Sequence, residues 1–321
     1  MNKILNLIKQ YNVERLQFVN DGMNKNYINQ YVNHIYIINL KHNKIRRNYV
    51  VKLMEKYNIN FELISVPKLN EQEYNIISEN NKITLGEAGC YLSHMFCLND
   101  AIIKDYSKII IFEDDIILHK RFNELFEETT KKKFYDILML GASDFHFNKL
   151  NSRHIDTNIN AYKPQLETKS LYGTYSILYS NCGLKEVFIT RLKTPTFFDD
   201  KLIQFIYKFN NTFYVLYPNL VVSDFSTTDI NHNFWITSEA LEKYYYKCCF
   251  DANFNFIEYN FIYLKLLELI TINESISYEK NILETLFIFF RNNTKKINKI
   301  KNRLVYNFFS ISDLKYIIFT Q

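Results

Sequence analysis

Residues 109–118 read IIIFEDDIIL: four apolar residues, then Glu113, Asp114 and Asp115, then three apolar residues again. A sheet core cannot hold three adjacent carboxylates cheaply, because a buried unpaired charge costs several kcal/mol even after relaxation. The apolar run therefore reads as a buried strand that surfaces at Glu113, where something must compensate the charges.

The segments on either side repeat one alternation. Before it, HIYIINL (34–40) is a continuous β-rich run of the kind buried on both faces, KIRRNYVVKLMEKYN (44–58) has helical periodicity, and FELISV (61–66) is a second strand ended by Pro67. A polar loop is expected to about Lys82, then a long helix opened by the capping-box pair Thr84 and Glu87. After it come a helix in HKRFNELFEETT (119–130) and a strand in YDILMLG (135–141). SLYGTYSILYS (170–180) and TFYVLYPNLVV (212–222) suggest further strands around a helical segment near 181–208. Strands alternating with helices argue for an α/β sandwich with a mostly parallel central sheet, whose ligands collect at strand carboxyl ends. Glu113, Asp114 and Asp115 stand at such an end.

Composition excludes several alternatives. The chain has 321 residues, 47% hydrophobic, enough for one large or two modest globular domains. No apolar run approaches the roughly 20 residues that span a bilayer, and the N-terminus lacks a signal-peptide pattern, so a cytoplasmic location is expected. The 5 cysteines show neither zinc-ligand nor secreted-framework spacing, which predicts reduced thiols. With 6 Gly and 4 Pro against abundant Asn, Ile, Lys, Tyr and Phe, the composition is what an AT-rich bacterial or large-viral genome would encode. The glycines nowhere form a phosphate-cradling loop, so any bound phosphate needs a metal or side chains.

The acidic turn has two readings. Asp114 or Asp115 could simply cap a helix or lie in a solvated turn. Alternatively, a hard cation such as Mn²⁺ or Mg²⁺ takes one or two carboxylates plus substrate phosphates, and Glu113 and Asp115, two apart on an extended segment, would project to one side.

Taken in order, YIINL, RR, TLGEAGCYLSH, IIIFEDD, YDILMLG, YGT and TTDI resemble the motif series of glycosyltransferase family 25, the lipooligosaccharide and procollagen galactosyltransferase group, over roughly residues 33–232. The resemblance implies a GT-A-like fold, a UDP-sugar donor, Mn²⁺, inversion at the anomeric carbon, and a glycan or glycoprotein acceptor. It makes Glu113 and Asp115 the metal ligands, with Asp114 in the same motif. It puts Asn39, Leu40 and Arg46 or Arg47 near the donor, makes Glu87, Ser93 and His94 candidate donor or acceptor contacts, and matches Thr228 and Asp229 to a late motif. Asp199 and Asp200 match a region where the family carries an acidic residue; one of them is the candidate base.

Each has an ordinary alternative. Glu87 also closes the capping box, one of the two arginines is a surface charge, and Cys90 reads as a small packed residue rather than a nucleophile. Residues 1–30 read as an amphipathic helical extension, 31–235 as the sugar-transfer domain and 236–321 as a helical, basic region. There Ile297, Ile300, Leu304 and Phe308 form one stripe, expected to pack on the domain or a second subunit, with an anionic membrane as the competing partner. A net charge of +5 is too modest to suggest nucleic acid.

Overall fold

The structure is a computed structural model describing residues 2–19, 26–79, 83–144, 155–164, 171–195, 198, 205–209, 211–217 and 219–223. All of these fall in the first of two compact units, Met1–Tyr263. Asp199, Asp200, Thr228, Asp229 and the C-terminal stripe lie outside the described residues.

A sheet of 9 strands forms the centre, in the order β1 (Glu14–Phe18), β3 (Phe61–Val66), β2 (His34–Leu40), β4 (Lys108–Glu113), β11 (Ser176–Ser180), β6 (Ile137–Met139), β12 (Phe213–Leu216), β9 (Ala161–Tyr162) and β8 (Ile155–Asp156). β2, β3, β4, β6, β12 and β8 run one way; β1, β11 and β9 run the other. The sheet is thus mostly parallel in strand direction, as expected. The insertion of β11 between β4 and β6, antiparallel to both, is not legible from strand patterns. Two short antiparallel pairs accompany it, β7 (Ser143–Asp144) with β10 (Leu171–Tyr172) and β5 (Ile116–Leu118) with β13 (Val221–Ser223).

Alternate residues of each central strand enter opposite apolar layers, because successive strand side chains point to opposite faces. Tyr36, Ile38, Ile109, Ile111, Ile177 and Tyr179 face one layer, with α1 (Asn2–Gln10), α4 (Glu71–Ser78), α5 (Leu85–Ile103) and α7 (Asn181–Lys193). Ile35, Ile37, Ile110, Phe112 and Leu178 face the other, with α2 (Tyr27–Tyr31), α3 (Lys44–Lys56) and α6 (Phe122–Lys132). Burial on both faces is why these strands read as unbroken apolar runs.

Two expectations need correction. Residues 1–30 are not a helical extension: α1 buries Ile4, Leu7 and Ile8 in the first layer, and β1 is an edge strand antiparallel to β3. β1 escapes notice because only Leu16 and Phe18 among its residues are apolar, and no residue of the strand is fully buried. The polar stretch after Pro67 contains α4, opened by a capping box in which the Asn70 side chain accepts from Glu73 N–H and the Glu73 carboxylate accepts from Asn70 N–H. That Asn-x-x-Glu signal was present in the sequence.

Two glycines are required by close packing. A Cβ at Gly141 would lie 1.8 Å from the Val221 carbonyl oxygen, where β13 passes to pair with β5. One at Gly183 would lie 2.1 Å from the Asp136 carbonyl. Asp136 also accepts from the Ser180 hydroxyl, which caps α7 through Gly183 N–H, so this carboxylate is structural.

Candidate functional site at the carboxyl edge of the sheet

The site begins with strand register. β2 and β4 are parallel, with Ile38 opposite Glu113. Asn39, one residue further along β2, therefore reaches the level of Asp114. Its Nδ2 donates to Asp114 Oδ2 at 2.6 Å and to the Asn43 carbonyl at 3.2 Å. Asn43 caps α3, its Oδ1 accepting from Arg46 N–H at 3.2 Å. That cap sets Arg46 in the first turn of α3, where Nη1 donates to Asp114 Oδ1 at 3.1 Å and Nη2 lies 3.5 Å from Asp115 Oδ2. Asn39, Arg46, Asp114 and Asp115 thus form one cluster.

Glu113 faces a different set. Its Oε1 accepts from Thr174 Oγ1 at 2.9 Å, lies 3.1 Å from His94 Nε2, and is 3.9 Å from Cys90 Sγ. Thr174 reaches it because Gly173 turns the chain at φ +95°, a conformation that L side chains avoid, shortly before β11. His94 is fully buried on α5, its ring stacked on Phe198 at 4.5 Å. The expected pairing of Glu113 with Asp115 on one side fails in its premise. The strand ends at Glu113 and residues 114–115 form a turn, so period-two alternation stops there.

The surroundings bias the two carboxyls oppositely. Burial raises the Asp114 pKa, the Glu113 charge adds to this, and Arg46 and Asn39 only partly offset it, leaving it above the ordinary value. Burial would also raise that of Glu113, but the His94 contact, Thr174 and Arg46 outweigh it and lower it. The contacts around Glu113 thus favour its charged form, while burial disfavours that of Asp114.

The other predicted residues separate. Leu40 ends β2, packed against the first apolar layer. Arg47 is half-buried, and it is Arg46 that the structure brings to the acidic turn. Glu87 closes the capping box, accepting from Thr84 N–H at 2.6 Å. Ser93 is buried and donates to the Gly89 carbonyl at 2.7 Å. Asn43, Thr174 and Cys90 join the site without having been singled out for it. Cys90 could have been found, since it precedes His94 by four residues and so shares its helical face.

The acidic turn offers oxygen donors at a strand's carboxyl end, the ligand type Mn²⁺ or Mg²⁺ takes. The Asp115 side chain is 13% exposed and that of Glu113 28%. The oxygens of Asp114 and Asp115 fit a hard cation, while Glu113 is turned to His94, Thr174 and Cys90.

Residues 32–182 match the family described as "Glycosyltransferase family 25 (LPS biosynthesis protein)". The chain is 31% identical over 135 residues to a Haemophilus influenzae protein provisionally named a glycosyltransferase, covering 39% of this chain and 48% of that one. It is 27% identical over 169 residues to the lipooligosaccharide biosynthesis protein lic2B of Haemophilus influenzae, covering 49% and 59%. The chain thus spans about half the length of these relatives. A crystal structure of a glycosyltransferase involved in glycosylation of the major capsid of PBCV-1 aligns at a TM-score of 0.32 and 13% identity, over 61% of this chain and 94% of that one.

Proposed function

We propose, from the premise that residues 32–182 are a glycosyltransferase family 25 segment, that this protein moves a hexose, galactose or glucose favoured, from a UDP-sugar to a hydroxyl of a glycan or glycoprotein acceptor, with inversion. The observation that carries this reading is the convergence of Asn39, Arg46, Asp114 and Asp115 at the carboxyl ends of β2 and β4. Charged side chains meet there without a glycine loop, which is what a diphosphate site built on a metal and an arginine needs.

The contacts support the following roles. Asn39 and Arg46 orient Asp114, and Asp115 with Asp114 would hold Mn²⁺ or Mg²⁺. The bound cation supplies positive charge to offset the diphosphate leaving group. Arg46, at the same edge, can add hydrogen bonds to phosphate oxygen in a bidentate geometry suited to it. The hydroxyl of the acceptor needs a base, and we assign it to Asp199 or Asp200, which directly follow Phe198 in the chain.

Calorimetry of UDP binding tests the reading. Affinity should collapse when Mn²⁺ is replaced by chelator, because the carboxylates alone repel a diphosphate. A panel of UDP-sugars with Mn²⁺ should then show slow hydrolysis of one donor without acceptor. Equal UDP binding with and without metal would overturn the metal assignment.

A second reading, a catalytically degenerate glycosyltransferase fold used for binding, draws on one observation: Arg46 already reaches both aspartates and offsets one of their two charges without a metal. Absence of UDP binding under every metal condition would favour it.

A further inference from the structure

The groups around Glu113 form a donor set of another chemical kind from the acidic turn. One ligand atom each from Cys90, His94 and Glu113 lies within 4.8 Å of the other two, and no other such group occurs among the described residues. His94 Nε2 stands 3.1 Å, and Cys90 Sγ 3.9 Å, from Glu113 Oε1. Around a tetrahedral zinc with bonds of about 2.0–2.3 Å, neighbouring ligand atoms stand roughly 3.3–3.8 Å apart. The two distances to Glu113 Oε1 lie within a few tenths of an ångström of that spacing, and the Cys90 and His94 ligand atoms stand within 4.8 Å of each other.

The scaffold favours these positions. Cys90 and His94 are four residues apart on α5 and so share a face. The His94 ring is fully buried and held by Phe198, and Thr174 fixes the Glu113 carboxylate from outside the cluster, as partners of metal ligands commonly do. Cys90 and Glu113 are only half-buried, which leaves the cluster accessible to a cation from solvent. A thiolate, an imidazole and a carboxylate suit a borderline ion better than Mn²⁺ or Mg²⁺, which take oxygen.

We propose that Cys90, His94 and Glu113 bind one borderline divalent cation of the Zn²⁺ kind, at a position separate from the hard-cation position at Asp115. Binding displaces the Cys90 proton and replaces the contact between His94 Nε2 and Glu113 with two bonds to the ion. His94 then carries its proton on Nδ1, which has no hydrogen-bond partner in the structure. That buried N–H costs binding energy, so the site is weaker and more reversible than a four-ligand structural zinc site. Glu113 is common to this cluster and the acidic turn. If the glycosyl-transfer reading holds, Glu113 serves the borderline cation, and Asp115 with Asp114 serves the hard one.

The test is a Co²⁺ titration of the metal-free full chain, following the near-ultraviolet charge-transfer band of a thiolate bound to cobalt. One equivalent showing that band should be lost in Cys90→Ser, a near-isosteric change, and in His94→Gln. It should persist in Asp115→Asn and in Cys182→Ser, which alters an exposed thiol on α7, and Zn²⁺ but not Mn²⁺ should displace it from the wild type. A band unchanged in Cys90→Ser, or no band in the wild type, would overturn the proposal. The experiment does not involve UDP. A cobalt site intact in a chain that never binds UDP would sink the glycosyl-transfer reading alone.

Discussion

Asp114 and Asp115 are adjacent, yet their surroundings differ enough to predict different consequences of the same substitution. Asp114 is held by Asn39 at 2.6 Å and by Arg46 at 3.1 Å, whereas the Arg46 contact to Asp115 is longer, at 3.5 Å. Asp115→Asn keeps size and removes one charge. Turnover should fall by about two orders of magnitude or more, the scale lost with one strong stabiliser of transition-state charge, while melting stays near the wild type. Near-normal turnover would make Asp115 a plain turn residue. Asp114→Asn instead removes the nearer charged partner of a largely buried arginine, which is 13% exposed, and leaves one acceptor oxygen where Asn39 and Arg46 each had their own. It should cost about 2–4 kcal/mol of stability as well as activity, because breaking a buried pair strands the remaining charge. Chemical denaturation of the two variants side by side separates the roles.

At the scale of elements, the glycines give the sharpest contrast. Gly141→Ala would drive a Cβ into the Val221 carbonyl, where β13 passes the end of β6 and the Leu220 N–H donates to the Leu140 carbonyl at 2.7 Å. A backbone atom cannot step aside as a side-chain tip can. The variant should lose about 3 kcal/mol or fail to accumulate folded. Gly89, inside α5 with nothing within 4 Å of where an added Cβ would lie, should behave in the opposite way. Gly89→Ala should stabilise by about 0.5–1 kcal/mol, since it removes backbone freedom from the unfolded chain at no steric cost. Thermal melting reads both, and destabilisation by Gly89→Ala would show that the space beside α5 is needed.

For the molecule as a whole, a charge network at the opposite edge of the sheet sets acid stability. Arg15 on β1 donates to both oxygens of Glu62 at 2.7 Å and to Asp100 at 2.8 and 2.9 Å. His34 lies 2.9 Å from Glu62, and the Tyr36 hydroxyl donates to Asp100 at 2.6 Å. Burial alone would raise both carboxyls. The hydrogen bonds from His34 and Arg15 bring Glu62 down from 4.5 to about 2, and those from Arg15, Tyr36 and Lys104 bring Asp100 down from 3.8 to about 2. Carboxyls depressed in the folded state contribute stability that is full above their unfolded values and is lost as pH falls through the folded ones. Melting should therefore drop steeply between about pH 4.5 and 2. Arg15→Ala should be less stable at neutral pH by about 2–4 kcal/mol and show a flatter acid limb. An unchanged acid limb would mean that Arg15 is not what anchors these carboxylates.

What could be read from the chain alone followed from local chemistry. The strands at 34–40, 61–66 and 109–113 announce themselves because burial on both faces demands continuous apolar runs, and the 84–87 capping box places the start of α5. IIIFEDD is informative for the same reason: carboxylates at the end of a buried strand need partners, and Asn39, Arg46, His94 and Thr174 supply them. What the chain alone left open were choices made by residues distant in sequence. Arg46 rather than Arg47 faces the turn because the Asn43 cap fixes the phase of α3. Glu113 parts company with Asp115 because the turn at 114–115 breaks the alternation that an extended strand would have kept. β1 joins the sheet through pairing with β3, and β11 enters between β4 and β6 against the direction of both. Hydrophobic pattern records which residues are buried, but pairing partner and register are settled only when the layers pack, because many pairings would bury the same runs equally well.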